Sequence, residues 1–228
     1  MYSVRPRLPV VRPGAGARFQ PVDFSFLRTR ATAPLVLLSV FSSLSYFPVS
    51  SYLTNFTTSV GSSLSADLCL SVMQGAWTVS ALVVGWSSDK LGWAYLLAAL
   101  GALECLVAFS SWTTADSLGS VFGFAVLFGL FAGHTNAWMA VARDVAGSNP
   151  ANASVVCSFM FVLRGVSCVV GPLVASALYK PGDAGGGVGL GHFGFGGVMV
   201  WVGVMAGLSG VAGLYMAAVR PSSRRKHQ

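Results

Sequence analysis

Six long apolar runs make up most of this sequence, and they set narrow limits on its fold. They cover Ala33–Thr54, Leu68–Trp86, Gly92–Ser111, Leu118–Ala142, Ser154–Tyr179 and Phe193–Val219. A helix of about 20 apolar residues crosses a bilayer, and every run reaches or approaches that length. Charged residues are only 9% of the 228, against about 25% in a soluble domain. Too few groups are left to face water. An ordinary soluble enzyme, a disordered chain and a disulfide-rich secreted module are thereby excluded. The expected fold class is an all-α membrane protein of six transmembrane helices within residues 33–219.

Glycine and serine recur inside the runs, as in Gly119/Gly123, Gly129/Gly133 and Gly203/Gly207. Such spacings let helices approach closely, so a tight bundle is expected. Pro48 and Pro172 fall within the first and fifth spans, where a ring without an N–H can kink a helix. Basic residues set the orientation. Twelve of the fourteen fall on one side: Arg5, Arg7, Arg12, Arg18, Arg28, Arg30, Lys90, Arg143, Arg220, Arg224, Arg225 and Lys226. Lys180 is alone on the other, and Arg164 lies inside a span. Both termini are therefore expected in the cytosol, which an even span number allows. The net charge of +7 reads as topology, and no nucleic-acid partner is expected.

Residues 1–32 are rich in arginine, but Pro6, Pro9, Pro13 and Pro21 preclude an amphipathic helix, so a disordered cytosolic segment is expected. Residues 220–228 form a basic tail, and the glycine-rich stretch Lys180–Gly197 reads as a flexible outer loop. Cys69, Cys105, Cys157 and Cys168 lie in apolar runs without ligand spacing, so neither a metal nor a cofactor is expected. Gly207-Leu-Ser209-Gly210 matches the GxSG of rhomboid proteases, but only His227, in the tail, follows it. A serine without its base is not a nucleophile, and no enzyme activity is expected.

Between the second and third spans the chain reads Gly85-Trp-Ser-Ser-Asp89-Lys90-Leu-Gly92. Glycine permits close contact and a tight turn there, and Asp89 can cap the next helix. The stretch resembles the cytosolic loop signature of the major facilitator superfamily, G-x-x-x-D-R/K-x-G-R/K-R/K, with Trp93-Ala94 in place of the final basic pair. In the fifth span, Arg164-Gly165 followed by Gly171-Pro172 is similar to the G-P-x-x-(G/A) pattern of that superfamily's penultimate helix. Phe128-Gly129-Leu-Phe-Ala-Gly133-His134 resembles its tenth helix. Fungal monocarboxylate-transporter-like members are the nearest in pattern, over roughly Pro34 to Val219.

The resemblance implies the C-terminal six-helix half of a twelve-helix fold, built from two three-helix inverted repeats. Gly165, Gly171 and Pro172 would then serve helix packing. The implied function is half of a secondary transporter for a small solute, such as a monocarboxylate or another organic anion. Its partners would be the lipid bilayer, the solute, and a missing N-terminal half or a second copy. The plasma membrane is the expected location. The alternative is a truncated, non-transporting membrane protein or an interaction partner. No GxxxxGK[ST] loop occurs, so any drive must come from gradients.

Ionisable groups inside spans are costly and are functional candidates by default. Arg164 can hold a carboxylate bidentately, and His134 can carry a proton near neutral pH. Tyr46, Gln74 and Asn136 complete the expected substrate site. Glu104 in the third span is a candidate to neutralise Arg164, although the resemblance puts that span at the periphery.

Overall fold

A computed structural model describes residues 32–146, 150–181 and 192–219. Within them lie α1 (Thr32–Val60), α2 (Ser63–Leu91), α3 (Trp93–Val107), α4 (Leu118–Phe131), α5 (Trp138–Ala146), α6 (Pro150–Leu178) and α7 (Gly196–Val219). A π-helical turn, Ala108–Trp112, prolongs α3, and a 3-10 segment, Gly133–Ala137, joins α4 to α5. The described chain is all-helical, with six helical stretches long and apolar enough to cross a membrane. The expectations for residues 1–31, for most of the loop at 182–191 and for the tail at 220–228 lie outside the described residues.

The fourth span departs from the sequence reading. One continuous helix was expected over Leu118–Ala142, but the helix breaks after Phe131 and resumes at Trp138. Gly133-His134-Thr135-Asn136 is a run of small and polar residues, weak helix formers that tolerate the tighter 3-10 winding. Elsewhere the helices begin on legible signals. Ser62 and Ser117 head α2 and α4 with reciprocal capping boxes to Ser65 and Ser120. Gly92, at φ 81°, turns the chain between α2 and α3, a conformation that favours glycine. The expected capping of α3 by Asp89 falls on a side chain outside the described residues.

Helix α3 packs most extensively on α7, α1 on α7 and α6, α2 on α4, α5 on α6, and α1 on α2. The α3–α7 seam is made of glycine. A Cβ on Gly101 would lie 2.5 Å from the backbone nitrogen of Gly210. Further along, Gly203 faces the ring of Phe109 and Gly207 faces the sulfur of Cys105. Ser209 is buried in the same seam and donates to the carbonyl of Ala206 at 2.8 Å, a packing role and not that of a nucleophile. On the other side, Gly129 abuts the backbone of Met73 and Gly133 abuts Ser80, locking α4 and the 3-10 segment onto α2. Gly119 and Gly123 meet nothing within 4 Å, so that spacing makes no contact within the described chain.

Two apolar clusters fill the bundle. One, around Phe56, Trp112, Phe124, Phe128 and Phe195, lies toward the C-terminal end of α1. The other, around Leu35, Leu38, Leu97, Trp138 and Met160, lies toward its N-terminal end. Between them α1 carries buried Ser39, Ser42, Ser43 and Ser45. The first three satisfy their hydroxyls on α1's own carbonyls, as serines in membrane helices commonly do. Only Ser45 reaches another helix.

Candidate functional site

The polar residues gather at mid-depth in two adjoining groups. Tyr46 and Arg164 are each fourteen residues from both ends of their 29-residue helices. At a rise of about 1.5 Å per residue, that places them roughly 21 Å from either end. Arg164 is therefore deeper than its apolar run alone indicated, because α6 begins at Pro150 and not at Ser154. Proline suits a helix's first position, where no N–H is needed.

The first group is a cage of aromatic faces around the guanidinium. The Cζ of Arg164 lies 4.8 Å from the ring centre of Phe47, 5.3 Å from Tyr46 and 6.0 Å from Trp138. Each face attracts a cation through its quadrupole. The residues come from α1, α5 and α6. The Tyr46 hydroxyl donates to Gln74 Oε1 at 2.7 Å, tying α1 to α2. Among the described residues Arg164 makes no ion pair, and it is half-buried. A cation held by ring faces keeps its in-plane N–H donors for another group, and a carboxylate matches that fork.

The second group is an acid and an imidazole shut inside the bundle. Glu104 is fully buried and His134 is 2% exposed. Ser45 donates to Glu104 Oε1 at 2.8 Å, and Glu104 Oε2 lies 3.5 Å from His134 Nδ1. Glu104, a candidate partner for Arg164, is instead met by Ser45 and His134. The face of α3 explains it. Leu97, Leu100, Gly101, Glu104, Val107 and Ala108 are buried at a spacing of three to four, and Glu104 lies on that inward stripe. His134 Nε2, the Ser80 hydroxyl and the Thr135 hydroxyl are buried without a hydrogen bond among the described residues.

Of the five expected substrate residues, Tyr46, Gln74 and Arg164 come together, and His134 belongs to the adjoining acid. Asn136 instead donates back to the carbonyl of Gly133 at 3.2 Å, closing the 3-10 turn. Ser45, Phe47, Ser80, Glu104 and Trp138 were missing from the sequence-based site.

In the loop motif, Gly85 meets nothing within 4 Å, and exposed Lys90 places its ammonium 4.0 Å from the ring centre of Trp86. Gly171 packs on the ring of Pro48, where a Cβ would lie 3.2 Å away. Pro172 follows within α6, and Gly165 faces open space. Among the described residues no group of three or more His, Cys, Asp or Glu could hold a metal. No known protein family, curated protein or solved structure matches the chain.

Proposed function

We propose that this chain is a six-span half of a secondary transporter of major-facilitator type that carries a small organic anion. One observation carries the reading: a guanidinium at the centre of a membrane helix, held by three aromatic faces and by no carboxylate among the described residues. A mid-membrane cation costs about 2.5–3.5 kcal/mol on insertion scales, and an anionic solute offsets that cost while it is bound. The neighbouring Glu104 and His134 can hold one proton between them, which makes them the natural proton carriers for a gradient-driven cycle.

The repeat architecture is supported by the pattern of helix pairing. Exchange of spans one, two and three for four, five and six turns the pairing of one with five into four with two. It likewise turns one with two into four with five, and one with six into four with three. The pairing of three with six maps onto itself. All of these pairings occur, as two copies of one three-helix unit related by a two-fold axis require. Inverted repeats and a broken helix at the midplane are recurrent features of secondary transporters.

The reading is tested by uptake of radiolabelled organic anions into proteoliposomes, with the chain alone and with a co-expressed second six-span half. Arg164→Ala is expected to lower uptake about 10–150-fold, since a hydrogen bond to a charged group is worth roughly 1.5–3 kcal/mol. Arg164→Lys is expected not to restore it, because an ammonium lacks the planar fork. Wild-type uptake by a normally folded Arg164→Ala variant rules the reading out.

The orientation is a proposal of the same kind, with both termini on the cytosolic side of the plasma membrane. A reporter fused after Gln228 should be active only in the cytosol. A cysteine introduced beside Lys180 should label from outside in intact cells. A second reading, a non-transporting partner of another membrane protein, is favoured by Gln74, exposed at mid-depth beside Gly75, which has no neighbour within 4 Å. A stable complex without flux in any pairing would select it.

A further inference from the structure

We infer that Tyr46 sets which solute the Arg164 site accepts. Its hydroxyl fixes the Gln74 amide with the N–H2 group outward, so the site takes an anion that carries a second hydrogen-bond acceptor and rejects one that carries an ammonium there. The inference rests on the Arg164 site proposed above and deepens it. Helices α2 and α6 each pack on α1 but scarcely on one another. Tyr46 of α1 lies between them, with its ring beneath the Arg164 guanidinium of α6 and its hydroxyl on Gln74 of α2.

Tyr46 is 7% exposed, so its hydroxyl meets almost no solvent and depends on Gln74 for a partner. Phe47 stands edge-on to it, with ring centres 5.6 Å apart, which limits tilting of the ring. The cation over the ring draws charge from it and makes the hydroxyl a stronger donor. A donating hydroxyl selects the carbonyl end of an amide, in keeping with the 2.7 Å contact to Oε1. The other end of the amide, a nitrogen with two donors, makes no hydrogen bond among the described residues, and Gln74 is exposed.

The two side chains left to meet a solute at this level therefore both offer donors. Half-buried Arg164 presents its N–H fork to a carboxylate. Gln74 presents its N–H2 to a second acceptor on the same molecule, such as an oxo oxygen. An ammonium in that place would face two N–H donors and a like charge, a mismatch that excludes as effectively as a good contact attracts. Glu104 is fully buried and cannot answer it.

The test compares three solutes of one size, butyrate, 2-oxobutyrate and 2-aminobutyrate, by saturation-transfer NMR with the full chain in nanodiscs. Wild type should bind 2-oxobutyrate about three- to tenfold more tightly than butyrate, the worth of one neutral hydrogen bond. It should bind 2-aminobutyrate more weakly than either. Gln74→Leu should remove the preference for 2-oxobutyrate over butyrate. Tyr46→Phe keeps the ring face beneath Arg164 and removes only the hydroxyl. The freed amide can then turn either end outward, so the preference should narrow and the discrimination against 2-aminobutyrate should shrink. A residue that merely held α1 to α2 would weaken all three solutes alike. Thermal unfolding checks the bond itself: the midpoint lost by Tyr46→Phe combined with Gln74→Leu should be smaller than the sum of the single losses. Additive losses, equal wild-type binding of the three solutes, or unchanged selectivity in Tyr46→Phe would overturn the inference and leave the Arg164 site standing. No binding of any of the three, or binding that survives Arg164→Ala, would overturn that site and the inference with it.

Discussion

Replacing Gly101 by leucine should abolish accumulation of the folded protein. A Cβ at this position meets the Gly210 backbone nitrogen at 2.5 Å, its Cα at 2.6 Å and the Ser209 hydroxyl at 2.8 Å. Two of these three neighbours are main chain, so no rotamer change can make room. Helices α3 and α7 must separate along the most extensive interface of the bundle. Association in a bilayer rests on close van der Waals contact, with no hydrophobic drive between helices to compensate. Overpacking a core costs about 1–3 kcal/mol when side chains can yield, and a main-chain clash belongs at or above the top of that range. Gly101→Ala should already lower the yield of monodisperse protein and its thermal midpoint. Gly75→Leu, at a glycine with no neighbour within 4 Å, should leave both unchanged. Equal stability of the Gly101 and Gly75 variants would show that α3 and α7 do not meet at this seam.

The second large effect is expected at Glu104. Glu104→Leu removes the acceptor of Ser45 and leaves His134 buried without its acid. Leaving a buried polar group without its partner costs about 1–3 kcal/mol, whereas replacing both partners by apolar groups is often close to neutral. Glu104→Leu should therefore unfold in detergent at a clearly lower temperature than wild type. Glu104→Leu combined with His134→Phe should recover most of the loss. Glu104→Gln keeps an acceptor for Ser45 and should retain the fold, yet should lose gradient-driven uptake if the pair carries the proton. A double variant no more stable than Glu104→Leu alone would sink the claim that the two side chains act as a pair, whatever the protein transports.

The helices were legible in the sequence because their signal is long and redundant. Twenty apolar residues survive a few exceptions, and all six expected spans correspond to helices. Their ends depend on single residues. Helix α1 runs on to Val60 through Asn55-Phe56-Thr57-Thr58-Ser59, which reads as polar and loop-like. Thr57, Thr58 and Ser59 return their hydroxyls to carbonyls within the helix and so remain compatible with it. The site was legible as a set of polar residues at similar depth but not as a pattern of partners. Which of Glu104, His134 and Arg164 would pair depends on the rotation of three helices about their axes. The inward stripe of α3 carried that information for Glu104. For His134 the break at Ala132 decided the matter, since a continuous helix would turn residue 134 to a different direction.

The partners of these mid-membrane groups also have an order in the chain. Tyr46, Phe47 and Trp138 all precede Arg164, and Ser45 precedes Glu104, which in turn precedes His134. Chains are synthesised from the N-terminus, at about 5–20 residues per second, so the third span enters the membrane seconds before the fifth. When Glu104 arrives, the hydroxyl that binds it is already in place. When Arg164 arrives, every ring that holds it has been made. Each ionisable group thus reaches hydrocarbon after a side chain able to receive it, and the most expensive charge enters last.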